Sequence, residues 1–421
     1  MRELLHRTRI ALATPSRTPR MAVVVGRLLG AAFLVCFATG LYSHFLQEPL
    51  PWMRFSPSPA WLYQVTQGIH VTAGIACLPL LLGKLYAVYP QLFQTPLVRG
   101  PLHLVERASI ALFVGASLVE VSIGLVNTFQ WYPWPFGFRE VHFALAFVVV
   151  GSLAVHIGVK LPVIARHWTT RSSAASDRED EVEPAASTAS QSASEPPAPT
   201  ASAEARGLTG RVFRWIDATP RRSPEVSRRG FLTAVGASVV GVVALTAGQS
   251  FRVLDPINVF APRKQGLGPQ SLPVNRTAEQ AAVTESALDP GWALVVTAGA
   301  TTRAFTREQL LALPQTTADL PIACVEGWSQ TATWTGVPVR RLLDEVGANP
   351  DAPLTLTSLE AEGAYRQTRM GGEYSSDPST LVALRLDGQD LDLQHGYPAR
   401  IIAPGRPGVL QTKWLARIEV D

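Results

Sequence analysis

Charge is scarce in this sequence: only 17% of its 421 residues are Asp, Glu, Lys or Arg, while 47% are apolar. Soluble domains carry about a quarter charged residues. Mean hydropathy is positive, +0.14. The shortage excludes a wholly disordered chain and argues against an all-soluble one. Cysteine is scarcer still. Three of them, Cys36, Cys77 and Cys324, cannot build a disulfide scaffold. The first two lie in apolar runs, which leaves Cys324 alone in the soluble part, as inert core or as chemistry. Nor is there a large excess of one sign: 37 basic against 33 acidic residues leave +4. Charge position therefore matters more than its sum, and nucleic acid is not an expected partner. The length predicts more than one structural unit.

What the chain has instead is long apolar runs. Four reach bilayer length, about 20 residues: Leu28–Leu46, Ile69–Val88, Ala108–Phe129 and Val141–Ala165. A fifth, Phe231–Ala247, is shorter and rich in Gly, Ala and Val. Short connections among the first four predict an antiparallel bundle of spanning helices. Buried core helices of a soluble protein are the poorer reading of four near-consecutive runs. Lys and Arg orient the bundle. Arg2, Arg7, Arg9, Arg17, Arg20 and Arg27 precede the first span, Arg99 and Arg107 follow the second, and Arg166 and Arg171 follow the fourth. The other two loops hold one arginine each, Arg54 and Arg139, beside Trp52, Trp61, Trp131, Tyr132 and Trp134, which suit an interfacial belt. The arm 1–27 is expected in the cytoplasm, and the bundle 28–165 in a bacterial cytoplasmic membrane with lipid as its partner.

Between residues 166 and 226 the periodicity disappears. The run EPAASTASQSASEPPAPTASAEA cannot bury enough apolar surface to offset its ordering entropy, so a disordered cytoplasmic linker is expected. Ser227-Arg228-Arg229-Gly230-Phe231-Leu232 then precedes the fifth run and resembles the twin-arginine export motif. An ordinary positive flank would need no paired arginines followed by Phe-Leu. The resemblance implies the twin-arginine translocase as a partner and a domain exported folded, with its cofactor in place. Nothing around Ala247-Gly248-Gln249 requires cleavage, so 227–249 is expected to remain as a fifth, anchoring helix.

Residues 250–421 have ordinary globular composition and read as mixed α and β. Strands are predicted at Ala293–Ala298, Leu354–Leu359, Arg400–Ala403 and Ala416–Val420. Thr306 with Gln309 predicts a capping box that opens a short helix through Leu313. Pro338 at a first helical position and Gly347 after Val346 bracket a second.

The informative string is Ile322-Ala-Cys324-Val-Glu326-Gly-Trp328-Ser329, followed by Trp334-Thr-Gly336-Val-Pro338. With His395-Gly-Tyr-Pro-Ala-Arg400, Ala403-Pro-Gly405 and Thr412-Lys413-Trp414-Leu415, it resembles the molybdopterin domain of the sulfite-oxidase family, which includes periplasmic methionine-sulfoxide reductases. The motifs run in the family's order over 251–421. The fold implied is an α+β molybdopterin domain behind an all-α bundle of four spans plus an anchor helix, a multidomain membrane protein. The resemblance implies that Cys324 gives the one protein thiolate to a molybdenum whose other ligands are pterin dithiolene sulfurs and oxo groups. A soft thiolate suits such a metal. Glu326 would stand near the metal's open side. His395, Arg400 and Lys413 would hold the pterin and its phosphate, and Asn275-Arg276 resembles the family's N-terminal cofactor contacts. Animal and plant sulfite oxidases continue beyond the KWL segment into a substrate-gating and dimerisation region that has no counterpart up to Asp421, so the resemblance supports the metal centre and leaves the substrate, sulfite included, open.

Other readings stay open for some of these residues. Glu326 is either a proton relay or a structural hydrogen bonder. Trp328 and Trp334 are either core or pocket wall. Arg366 and Arg369 are either an anion funnel or a solvated face.

Five of eight histidines lie in or beside the four runs: His44, His70, His103, His142 and His156. Ionisable groups are costly there and usually functional. His142 and His156 share one run, 14 residues apart, or about 21 Å along a helix and near the same face. His44, His70 and His142 fall toward the outer side, and His103 and His156 toward the inner side. Two layers of imidazoles could hold one or two b-type haems, similar to b561-like cytochrome bundles. The alternative is interfacial hydrogen bonding. Glu120 is a lesser candidate for proton or quinone chemistry.

The expected function is a membrane-anchored, extracytoplasmic molybdopterin oxidoreductase that exchanges oxygen atoms with a small substrate and electrons with quinone or another redox partner. The rivals are a non-catalytic binding module on a membrane anchor and a haem-only electron carrier. Metal content separates them.

Overall fold

The structure, a computed structural model, describes residues 14, 16–90, 98, 100–167 and 226–421. Most of the basic arm, Arg99 and nearly all of the expected linker lie outside the described residues.

Five long helices are formed: α1 Pro19–Gln47, α2 Leu62–Val88, α3 Pro101–Asn127, α4 Phe138–Arg166 and α5 Arg228–Thr246. All five are long and apolar enough to cross a membrane. The first begins at Pro19, inside the arm expected as 1–27. Proline has no amide hydrogen to lose in a first turn, and Met21, Ala22, Val23 and Val25 are buried, so the apolar surface begins before Leu28.

The chain divides into two compact units. One takes 77–119 and 147–239 with the start of α1. In it, Phe231 stacks on Tyr86 at 5.2 Å, and a Cβ on Gly83 would meet Val235 at 2.9 Å. The motif that resembles an export signal is thus packed against α2. Arg17 lies over the Tyr86 ring at 4.3 Å, Lys84 Nζ donates to Ala22 O at 2.5 Å, and Lys160 pairs with Glu106.

The second unit takes 32–76, 120–146 and 240–421. Its C-terminal part is β-rich, with two five-stranded sheets. The strands are β1 Ala293–Ala298, β2 Thr301–Thr306, β3 Thr316–Ala323, β4 Ser329–Pro338, β5 Leu354–Ser358, β6 Gln367–Met370, β7 Leu381–Leu386, β8 Gln389–Asp390, β9 Arg400–Ile402 and β10 Leu415–Val420. One sheet has the order β2-β1-β10-β5-β6. The other is β3-β4-β7-β8, with β9 also on β7. Strands β1 and β10 pair in parallel, Val296 opposite Ile418. Leu294, Val296, Leu356 and Ile418 pack with Val382 and Leu384 into one core. The helices are short, so β dominates the α+β composition expected. Helix α6, Arg307–Ala312, has the predicted Thr306–Gln309 capping box, with Leu313 as its C-cap. Pro338 ends β4 and caps α7, Val339–Asp344, rather than opening the helix as expected. Its φ of −55° with ψ of 132° is extended, and its missing amide hydrogen costs a cap position nothing.

Candidate functional site

Cys324 stands where β3 runs out and the chain turns into β4. Ala323 and Ser329 are the last paired residues of that hairpin. Cys324 N donates to Trp328 O at 2.9 Å and Gly327 N to Cys324 O at 3.0 Å. Gly327 has φ +99°, a conformation open to glycine and strained for other residues. Cys324 is 1% exposed and lines a cleft.

From the other side, the Leu393–His395 turn is capped by the Asp392 side chain and ends at Gly396, φ +108°. A Cβ on Gly396 would lie 3.1 Å from the Cβ atoms of both Arg400 and Lys413. The absent side chain lets three motif residues converge. Asn275, Arg276, His395, Arg400 and Lys413 all line the cleft with Cys324. Glu326 does not line it. Its carboxylate is buried and accepts from Trp328 Nε1 at 3.3 Å and from Gln130 Nε2.

The charges are unbalanced. Arg276 is neutralised by Glu360 at 2.6 Å. Arg400 and Lys413 have no ion pair among the described residues. Arg400 donates to His395 O at 3.0 Å and Gln411 O at 3.2 Å, its Nε has no partner, and burial holds its pKa down at about 9. Lys413 donates to Arg276 O at 2.6 Å and Gln394 O at 3.0 Å. Burial, reinforced by Arg400, lowers its pKa to about 7. His395 donates Nε2–H to Pro269 O at 2.7 Å, and burial lowers it to about 4, so it is a neutral contact. Burial also drives the Cys324 thiol well up, helped by Glu326, and raises Glu326 itself. A buried and a half-buried cation without a carboxylate partner are costly unless an anion joins them. A cationic cleft ending in one thiol fits a pterin phosphate carrying a sulfur-bound soft metal.

Trp328 is a cleft wall, whereas Trp334 is fully buried beneath Arg400. Arg366 and Arg369 are exposed and outside the cleft lining, the solvated-face reading. Tyr365, Glu360 and Gln411 line the cleft without having been singled out, and Gln130 with Arg263 reaches Glu326. Gln411 adjoins the Thr412-Lys413 string and was within reach of a motif search. Gln130 sits in an aromatic loop that reads only as membrane belt.

In the same unit, the rings of His70 and His142 lie 6.2 Å apart at 88°. His70 Nδ1 is 2.8 Å from Cys36 O, and His142 Nδ1 is 3.1 Å from Glu120 Oε1. Each Nε2 is uncommitted among the described residues. Two imidazole–metal bonds of about 2.0–2.1 Å, plus the span from nitrogen to ring centre, come to roughly this separation; the His70 Nδ1–carbonyl bond is of the kind that orients a ligating imidazole, whereas His142 Nδ1 makes no hydrogen bond to the nearby carboxylate. His44 stacks on Phe143 at 3.6 Å, as His142 stacks on Phe138 at 4.9 Å. In the other unit His156 stacks on Phe113 at 5.9 Å, with a buried, unpaired Nδ1. His103 lies in that unit on α3.

Residues 281–421 match the oxidoreductase molybdopterin binding domain. The "Putative protein-methionine-sulfoxide reductase subunit YedZ1" of Azospira oryzae is 33% identical over 28% of this chain and 44% of its own length. The protein-methionine-sulfoxide reductase catalytic subunit MsrP of Gluconobacter oxydans is 29% identical over 23% of this chain and 36% of its own. The NADPH nitrate reductase of Phytophthora infestans is 34% identical over 22% and 11%. The chain thus spans less than half the length of these curated relatives. It carries a molybdopterin-binding oxidoreductase domain behind a region of five apolar helices.

Proposed function

We propose that this chain is a membrane-spanning enzyme whose C-terminal domain lies outside the cytoplasmic membrane and exchanges an oxygen atom with a small substrate. Helices α1–α4 exchange the matching electrons with a membrane quinone. The observation that carries this reading is the convergence of Cys324 with the buried, unpaired Arg400 and the half-buried Lys413 in one cleft. The cofactor, when bound, supplies two-electron redox chemistry at a molybdenum. The chain's residues do the rest. Arg400 and Lys413 offer charge-assisted donors to phosphate. The Cys324 thiol, protonated in the free protein, must lose its proton to bind metal. Trp328 closes one wall against water, and Glu326 lies behind the thiol. Two relatives named for methionine sulfoxide make a sulfoxide the first substrate to try.

His70 and His142 are proposed to hold one b-type haem, and His103 and His156 a second. The Lys and Arg distribution and the Arg228-Arg229 pair support extracytoplasmic placement of the domain, with the translocase as partner.

The test is metal analysis and turnover of the purified full chain with an artificial mediator. Wild type should contain stoichiometric molybdenum. Cys324→Ser puts a poorer, protonated ligand at the metal, so turnover per molybdenum should fall by orders of magnitude. Metal-free wild type would favour the binding-module or haem-only readings; full turnover per molybdenum in the variant would remove Cys324 from the ligand set.

A further inference from the structure

The turn that carries Cys324 is seated on α2. Gln67 Nε2 donates to Val325 O at 2.9 Å, and Gln64 Nε2 donates to Ser329 Oγ at 3.1 Å. Gly327 makes the close approach possible, since a Cβ there would stand 2.7 Å from Val71 Cγ2. Beyond α5, Ser250 Oγ donates to Gly327 O, and Ser329 Oγ returns a bond to Ser250 O at 3.2 Å. The turn is gripped from both sides.

Gln67 is 4% exposed, and its Oε1 has no partner among the described residues. A half-satisfied buried amide is a poor choice for stability alone. Its place on the helix supplies a reason. His70 follows by three residues, on the same face and about 4.5 Å further along the axis. His70 in turn faces His142.

We infer that α2 is the electron path between the two redox sites, with Gln67 as the positioning residue that ties the Cys324 turn to the helix of His70. The inference rests on the reading that the histidine pair holds a haem and Cys324 a molybdenum. When bound, the haem would pass on one electron at a time and the molybdenum would accept it. Two passages supply the electron pair for one oxygen-atom transfer, with a membrane quinol as the reductant. The path runs through bonds, Cys324 to Val325 to the Gln67 amide to one turn of helix, instead of through open space.

The decisive variant is Gln67→Met in the full-length, cofactor-loaded protein, which keeps the volume and drops the hydrogen bond. After flash reduction of the haem, its reoxidation should be several-fold slower than in wild type. Haem content, molybdenum content and mediator-driven turnover should be unchanged. Gly327→Ala, which pushes the turn off Val71, should slow the same step. Gln64→Met, which removes only the Ser329 contact, should not. A second readout needs no turnover: amide hydrogen exchange at 325–328 in metal-free protein should quicken in Gln67→Met. Wild-type reoxidation in both Gln67→Met and Gly327→Ala would overturn the inference. Wild-type protein with no haem band would overturn the electron-exchange reading and this inference with it, so the two failures are told apart. Should Gln67→Met not accumulate, Gln67→Glu removes the same donor with less change of shape and is judged by the same rate.

Discussion

Arg400 lies over the ring of Trp334, its guanidinium carbon 5.1 Å from the centroid. The indole face takes part of the charge, two carbonyls take part of the rest, and Nε faces no partner. Among the described residues no carboxylate of the domain pairs with this cation, which lines the cleft beside Cys324.

Arg400→Ala should therefore weaken cofactor retention far more than chemistry. Losing charge-assisted hydrogen bonds worth about 1.5–3 kcal/mol lowers affinity by roughly 10- to 150-fold. Molybdenum content by mass spectrometry should fall accordingly, while turnover per bound molybdenum stays near wild type. Equal losses in both quantities would place Arg400 in the reaction itself.

Lys413 gives the cofactor-free protein an unusual pH dependence. Its folded pKa of about 7 lies below the unfolded value of about 10.4. The penalty for burying the ammonium is full below pH 7 and is relieved as pH rises, because the unfolded chain then binds more protons than the folded one. Stability to urea should thus increase from pH 7 to 8.5, by about 2 kcal/mol. Above that range the raised Cys324 thiol works in the opposite direction. Lys413→Met should flatten the slope, and so should bound cofactor, whose phosphate keeps the lysine charged. A slope that persists in Lys413→Met would assign it to another group.

Much of this site was legible in the sequence because its residues sit in short strings. Cys324, His395, Arg400 and Lys413 each belong to a local motif, and the β1 and β10 strands alternate plainly enough to be read within a residue. The five apolar runs were equally plain, although α1 starts at Pro19, ahead of the buried Met21, Ala22, Val23 and Val25. Illegible were contacts made across hundreds of residues by ordinary polar side chains. Gln130 reaching Glu326, Gln67 reaching Val325 and Tyr365 entering the cleft follow from how separate segments meet. No spacing in the chain announces a glutamine as anything but polar.

The histidine assignment predicts a paired loss. His70→Ala and His142→Ala should each abolish the same haem absorption band, since one iron depends on both rings. His44→Ala should leave it intact. Retention of the band in either of the first two variants, measured in reduced-minus-oxidised spectra, would return that histidine to a structural role.

Sidedness carries the last prediction. Arg228 and Arg229 open α5, and Phe231 of the same motif stacks on Tyr86 of α2. A lysine pair keeps the positive charge that orients a helix but lacks the guanidinium that a twin-arginine receptor reads. With Arg228→Lys and Arg229→Lys together, the domain after α5 should stay in the cytoplasm while α1–α4 insert normally. A reporter fused after Asp421 that is active only outside the cytoplasm would then fall silent, and protease added to intact spheroplasts would spare the domain. Unchanged export of the double variant would mean that charge alone carries the segment across, and that Phe231 is there for its stacking on Tyr86 rather than for recognition.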